Sequence, residues 1–208
     1  GAAVFVALLA ASAAVYDAVA DSDGVSGLDQ PVLQAMIALR TPGNEYWVTA
    51  FTNLGDTPSM VVLTLVLTGL ALWRWRRRSI AVLVVVASTG SLVFTAAGKA
   101  VVGRKRPPLA FAVPPYEYAP SFPSGHTLNS TVISLTLAYV VVWLGRRWWI
   151  RGLSVLAAVC WSVAMGLSRV FLGHHWLTDV IFGWLFGLAW LALVGTVHRI
   201  LVVLERRE

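Results

Sequence analysis

Six stretches of this chain are apolar for too long to belong to a water-soluble fold. Crossing the hydrocarbon core of a bilayer as a helix takes roughly 20 mostly apolar residues. The runs cover about residues 2–19, 59–73, 80–102, 125–144, 153–172 and 177–204, the second extended at its start by residues 51–54. We therefore expect an all-α fold, a six-transmembrane-helix bundle, forming a single membrane domain over residues 1–208. Composition agrees: only 12% of residues are charged, about half the fraction of a soluble domain. The first run has no basic stretch before it, so it reads as a span rather than a cleaved signal.

Between the first two spans, residues 21–53 are too polar to cross. Leu28, Val32, Leu33, Met36 and Ile37 recur at helical spacing, which predicts an amphipathic helical segment lying in the interface. Gly24 and Gly27 on one side, and Pro42 and Gly43 on the other, are expected to break it.

The net charge of +6 could suggest nucleic acid, but the basic residues form no single face, and no nucleic-acid partner is expected. They punctuate the apolar runs instead. Arg74, Arg76, Arg77 and Arg78, then Arg146, Arg147 and Arg151, then Arg199, Arg206 and Arg207 fall on one side of a six-span chain. The positive-inside rule makes that side, with both termini, cytoplasmic. Trp73, Trp75, Trp148 and Trp149 flank two of the groups, as interfacial anchors do. Asp21, Asp23, Asp29, Glu45, Asp56, Glu117 and Asp179 fall on the opposite side. Cys160 is the only cysteine and lies inside a span, so no disulfide closes within the chain.

Six basic residues contradict this arrangement: Arg40, Lys99, Arg104, Lys105, Arg106 and Arg169. Ionisable groups at membrane depth mark functional sites by default. Lys99 and Arg106 lie at the outer end of span three. Ser124, Gly125 and His126 open span four. Arg169 ends span five, and His175 and Asp179 lie where span six begins. Lys99, Arg106 and Arg169 supply cationic donors with no nearby acidic excess, and arginine forks match the paired oxygens of phosphate. Ser124 and Gly125 precede a helix N-terminus, where free N–H groups and the dipole favour an anion. His175 and Asp179, four apart, would share one helix face. A carboxylate there can hold one imidazole nitrogen protonated and leave the other as a nucleophile. His126, on another span, can stand opposite as the proton donor.

These segments resemble the three signature motifs of the type 2 phosphatidic acid phosphatase (PAP2) superfamily, which also includes vanadium haloperoxidases. Residues 99–107 fit Lys, six residues, Arg-Pro; residues 123–126 fit Pro-Ser-Gly-His; residues 168–179 fit Ser-Arg, five residues, His, three residues, Asp. The resemblance implies a lipid phosphate phosphatase with no metal and no other cofactor. It implies that His175 becomes a phosphohistidine, that Asp179 orients it, and that His126 protonates the leaving alkoxide and then activates water. Lys99, Arg106, Ser124, Gly125 and Arg169 would hold the phosphate. Its partners would be the bilayer and a lipid substrate of the undecaprenyl diphosphate, phosphatidic acid or phosphatidylglycerol phosphate class. A bacterial plasma-membrane enzyme with its site on the periplasmic or extracellular side is expected.

Plainer readings stand beside these. Arg104 and Lys105, which the motif does not use, could bind anionic lipid. His174 misses the motif spacing and reads as packing, His198 as interfacial, Asp56 as a helix cap, and Gly183 with Gly187 as internal helix packing. Tyr116, Glu117 and Tyr118, in a proline-rich segment, could touch a headgroup. The alternative to an enzyme is a non-hydrolytic lipid-phosphate binding or carrier protein. It would have no need of the His126, His175 and Asp179 trio. A haloperoxidase shares the cradle, but known members are soluble and larger.

Overall fold

The computed structural model describes residues 1–75 and 77–205; Arg76, Arg206 and Arg207, used above for topology, lie outside them. In chain order the helices are α1 (Ala2–Asp21), α2 (Asp29–Ala38), α3 (Pro42–Thr52), α4 (Thr57–Trp75), α5 (Arg78–Val102), α6 (Gly125–Leu144), α7 (Trp148–Phe171) and α8 (Leu177–Glu205), with single 3₁₀ turns at Gly24–Leu28, Asn53–Gly55 and Leu109–Phe111. Among the described residues, α1, α4, α5, α6, α7 and α8 are long and apolar enough to cross a membrane.

Helix α6 is the axis of the bundle. More than half of its span is buried, 56% against 17% for α1. Leu128, Val132 and Val140 pack on Ile80, Leu83, Val84 and Ala87 of α5 and on Val194 of α8. Lipid tails are as apolar as leucine, so tight packing and hydrogen bonds must hold such helices together. α6 accordingly carries small hydroxylated residues inward. The Thr131 hydroxyl lies 2.7 Å from the Thr127 carbonyl and 2.6 Å from the Ser162 hydroxyl of α7; an interhelical bond of this kind averages about 0.6 kcal/mol. Gly183 and Gly187 of α8 receive Thr127 and Thr131. A Cβ at Gly183 would sit 3.1 Å from that of Thr127, so these glycines serve internal packing.

The interfacial segment departs from the expectation of one helix. α2 and α3 are separate, because Thr41 caps α3 in a reciprocal pair with Asn44 and Pro42 occupies its first turn. α2 ends before Pro42 and Gly43 as expected, and these two residues also open the next helix. Phe51 belongs to α3, so the second span begins at Thr57 and is not extended by residues 51–54. Asp56 caps it, its carboxylate accepting the Ser59 N–H at 2.8 Å. α2 is amphipathic as expected over Val32, Leu33, Met36 and Ile37, which turn inward while Gln30, Gln34 and Ala35 are exposed; Leu28 falls before the helix and faces outward. Arg40, between α2 and α3, donates to the carbonyls of Phe171 and Phe111, both at 2.7 Å. It is a staple at the end of α7.

The two ends of the bundle differ in chemistry. One holds the turns between α4 and α5 and between α6 and α7, where Arg77 lies 5.4 Å from the Trp143 ring and Arg151 donates to the Gly145 carbonyl. His198, expected at the interface here, is instead buried, its Nδ1 3.0 Å from the Tyr139 hydroxyl. The opposite end gathers α2, α3, the 103–124 loop and the α7–α8 turn, and Lys99, Arg106, Ser124, Gly125, His126, Arg169, His175 and Asp179 all lie there.

Candidate active site

The site begins with two chain reversals. α5 ends at Gly103 in the left-handed conformation, φ 60°, a backbone state glycine enters at no steric cost. That turn throws Arg104, Lys105 and Arg106 back over the bundle end. α7 ends at Gly173, φ +73°, where a Cβ would run into the Phe111 carbonyl. The resulting turn points the N–H groups of His174 and His175 at the Arg169 carbonyl, at 3.0 and 3.2 Å. This fold-back, rather than a shared helix face, brings the motif residues together. His175 precedes α8, and Asp179 lies in its first turn.

His175 is buried between two networks. On one side, Asp179 Oδ2 lies 3.3 Å from its Nδ1 and accepts the Trp176 N–H at 3.0 Å. The Ser121 hydroxyl donates to the same carboxylate oxygen and stands 3.4 Å from Nδ1. Arg104 holds the other oxygen at 2.6 Å, and its second nitrogen holds Asp29 at 2.7 Å. Asp29 in turn accepts the Thr178 N–H at 2.9 Å and the Thr178 hydroxyl at 2.8 Å. On the other side, Arg106 Nη1 approaches His175 Nε2 at 3.2 Å. A guanidinium can only donate, so Nε2 presents its lone pair and the proton resides on Nδ1, facing Asp179. Burial, then the charges of Arg106 and Arg169, push the His175 pKa well below that of free imidazole, which keeps the ring neutral.

The cationic side is formed by Arg106, Arg169 and Lys99. Arg106 is fixed by the carbonyls of Ala119 and His174, both at 2.6 Å. Arg169 is almost fully buried and donates to the Thr52 hydroxyl at 3.0 Å. Lys99 donates to the Pro120 carbonyl. Between the two arginines lies the Glu117 carboxylate, one oxygen on Arg169 and the other 2.7 Å from Arg106. Three cations thus face one carboxylate: the cradle has no acidic excess, as expected, but it is not free of acid. Burial alone would raise the Glu117 carboxyl, but the charges of Arg169 and Arg106 hold it down, to about 2.

His126 stands in the first turn of α6, half-buried, beside Gly55. Among the described residues neither of its ring nitrogens has a protein hydrogen-bond partner, so both are open to a ligand. Ser124 is fully buried with its hydroxyl 2.8 Å from that of Thr127, so it faces the helix rather than the cradle. A Cβ at Gly125 would meet Thr95 at 2.9 Å; packing of α6 on α5 demands glycine there, apart from any ligand. His174 hydrogen-bonds the Val113 carbonyl at 2.7 Å through Nε2, and burial holds its pKa at about 4.

Comparison with known proteins decides the family. The PAP2 superfamily pattern matches residues 78–201, more than half of the chain. This chain belongs to the PAP2 superfamily. It is similar to phosphatidylglycerophosphatase B of Bacillus subtilis (strain 168), with 27% identity over 195 residues covering 92% of this chain and 91% of the relative. It is 33% identical over 126 residues to an undecaprenyl-diphosphatase of Sulfolobus acidocaldarius, covering 58% of this chain and 55% of that one. The crystal structure of the transmembrane PAP2 type phosphatidylglycerolphosphate phosphatase from Bacillus subtilis superposes with a TM-score of 0.82 at 25% identity, covering 95% of both chains. Aquifex aeolicus LpxE shares the fold, with a TM-score of 0.63 at 20% identity, covering 81% of this chain and 95% of the other.

This PAP2 protein is thus an integral membrane enzyme of the phosphatase class. Within its site the sequence reading overlooked Ser121, Asp29, Thr52 and Thr178, and it gave Arg104 to the lipid surface. Arg104 is in fact the bridge between Asp29 and Asp179. A signal for it existed: like Arg40, Lys99, Arg106 and Arg169, it opposed the topology rule, and each of those five has an interior acceptor.

Proposed function

We propose that this PAP2 enzyme, a single unit over residues 1–208, removes a terminal phosphate from a membrane lipid through a phosphohistidine on His175. The observation that carries the reading is the placement of His175, with Nδ1 3.3 Å from Asp179 and Nε2 3.2 Å from Arg106, which favours a proton on Nδ1 and a lone pair on Nε2 facing the arginine cradle. In the first step Nε2 attacks phosphorus, the bond from phosphorus to the leaving oxygen breaks, and His126 gives that oxygen its proton. Imidazolium character grows on His175 as the P–N bond forms, and Asp179 opposes the charge. Arg106, Arg169 and Lys99 stabilise the three equatorial oxygens. In the second step a water attacks phosphorus, His126 takes its proton, the P–N bond breaks, and phosphate leaves. Gly125 contributes through its N–H at the start of α6; the Ser124 N–H is held by the Asp179 carbonyl at 3.3 Å, so Ser124 supports the cradle by fixing that turn. No step requires a metal or another cofactor.

The substrate class is a phosphomonoester or diphosphate of a lipid, such as phosphatidylglycerol phosphate, phosphatidic acid or undecaprenyl diphosphate. The first and third are named among the similar proteins. Asp179, at the start of a span, lies near the headgroup plane, so a substrate with its tail in the bilayer can reach the cradle from the side. The arginine-rich turns at the far end support a cytoplasmic assignment for that end and both termini. The site then faces outward, periplasmic or extracellular in a bacterial plasma membrane.

The test is phosphate release by the detergent-solubilised protein across a lipid panel, with EDTA present. Wild type is expected to turn over and to be inhibited by vanadate. His175→Ala is expected to lose at least about 10³-fold in kcat, as other enzymes do on losing a nucleophile. Unchanged turnover in that variant would sink the mechanism.

A further inference from the structure

The carboxylate in the cradle has a consequence for selectivity. Glu117 places one oxygen on each arginine, as two oxygens of a phosphoryl group would. It satisfies the site incompletely. Arg169 Nε is buried without a partner, and a carboxylate has no third oxygen to offer it. The cradle is therefore built for more oxygens than Glu117 supplies. Glu117 is also the most exposed member of the ion-paired cluster, 32% against 2% for Arg169. It lines a cavity of about 420 Å³ whose walls include Lys105, so the carboxylate has both room and counter-charge if it leaves.

We propose that Glu117 is a specificity-determining residue, a resident anion that a phosphoryl group must displace to bind. Resting on the phosphatase reading above, this gives a charge rule. A terminal phosphate carries close to two negative charges near pH 7, and exchanging it for one carboxylate gains attraction to three cations. A phosphodiester carries one charge, and the exchange gains nothing. The bilayer surrounds this site with phosphodiester headgroups at far higher concentration than any substrate. A cradle of bare cations would be occupied by them. Glu117 excludes the bulk lipid and admits the terminal phosphate.

The experiment uses the full chain in mixed micelles with a lipid phosphomonoester substrate and rising phosphatidylglycerol, comparing wild type with Glu117→Gln. The variant is expected to show at least tenfold stronger competitive inhibition by phosphatidylglycerol and a lower KM for the monoester. Inhibition equal to or weaker than wild type overturns the proposal. If the variant turns over too slowly to assay, ligand-induced stabilisation by inorganic phosphate and by phosphatidylglycerol is measured on both proteins. A larger gain for phosphatidylglycerol than for phosphate in the variant supports the proposal, and equal gains overturn it. Binding is read in that arm without turnover, so its failure is separate from failure of the His175 mechanism.

Discussion

The two flanks of His175 are both built from arginine and carboxylate, yet they are in different states. Behind the ring, Arg104 joins Asp29 and Asp179, and Thr178, Trp176 and Ser121 supply the remaining donors. Both carboxylates are buried, Asp179 completely. In front, Arg106 and Arg169 share one half-exposed carboxylate, and Arg169 keeps an unused donor. Breaking a buried pair by deleting one partner is costly because a bare charge remains, so a complete network resists change. An incomplete one invites a ligand. On the phosphatase reading proposed above, the same residue types serve as scaffold on one side and as receptor on the other.

Variants can sharpen or break that contrast. The largest effect is expected from Asp179→Asn, whose amide can donate to Nδ1 and favour the wrong tautomer. By analogy with triad enzymes kcat should fall by about 10³ to 10⁴. Vanadate should still stabilise the variant in a thermal shift; loss of vanadate binding with retained kcat would reverse the roles of the two flanks. Next comes Arg104→Gln, which strands two buried carboxylates. It should cost about 3–5 kcal/mol of stability, read as a lowered unfolding temperature. Arg106→Gln belongs to the receptor flank. We expect vanadate to bind about 10- to 100-fold more weakly, the equivalent of one charge-assisted hydrogen bond of about 1.5–3 kcal/mol. Its unfolding temperature should change less than that of Arg104→Gln, and the opposite ranking would contradict the contrast.

The smallest effect is one of pH. His174 in the fold has a pKa of about 4 and His175 lies well below its ordinary value. Between pH 6.5 and about 4 the unfolded chain binds protons that the folded chain refuses, so stability rises with pH across that window. Glu117 acts in the same direction over a lower window: its carboxyl is held at about 2, so its contribution is complete above pH 4.5 and is lost only as pH falls toward 2. Unfolding temperature should therefore decline already from pH 6.5 to 5. His174→Asn should decline less steeply, and an identical decline would exclude His174 as a source.

Much of this was readable in the sequence, and the reasons are local. Hydropathy is a property of consecutive residues, so the spans came out within a few positions. The exception is α7, which starts at Trp148 because its first turn is interfacial tryptophan and arginine rather than apolar. The motif residues share one end because alternating spans force alternate connections to one side. What escaped are partnerships between distant residues. Arg104 meets Asp179 across 75 positions and Asp29 across another 75. Ser121 sits among prolines in a loop whose path no period describes. Glu117 was noticed only as a possible headgroup contact, since spacing cannot reveal that a carboxylate lies between two arginines.

The bond from Thr178 to Asp29 spans 149 residues and reaches outside the region that defines the family, residues 78–201. Its consequence concerns synthesis. α1 and α2 emerge from the ribosome before α8 and must wait in the membrane until α8 is inserted beside them. Only then does Arg104 acquire both carboxylates and His175 its fixed tautomer. An enzyme assembled in that order stays silent while it is unfinished, and fragments split in the 103–124 loop should regain activity only when both halves share one bilayer.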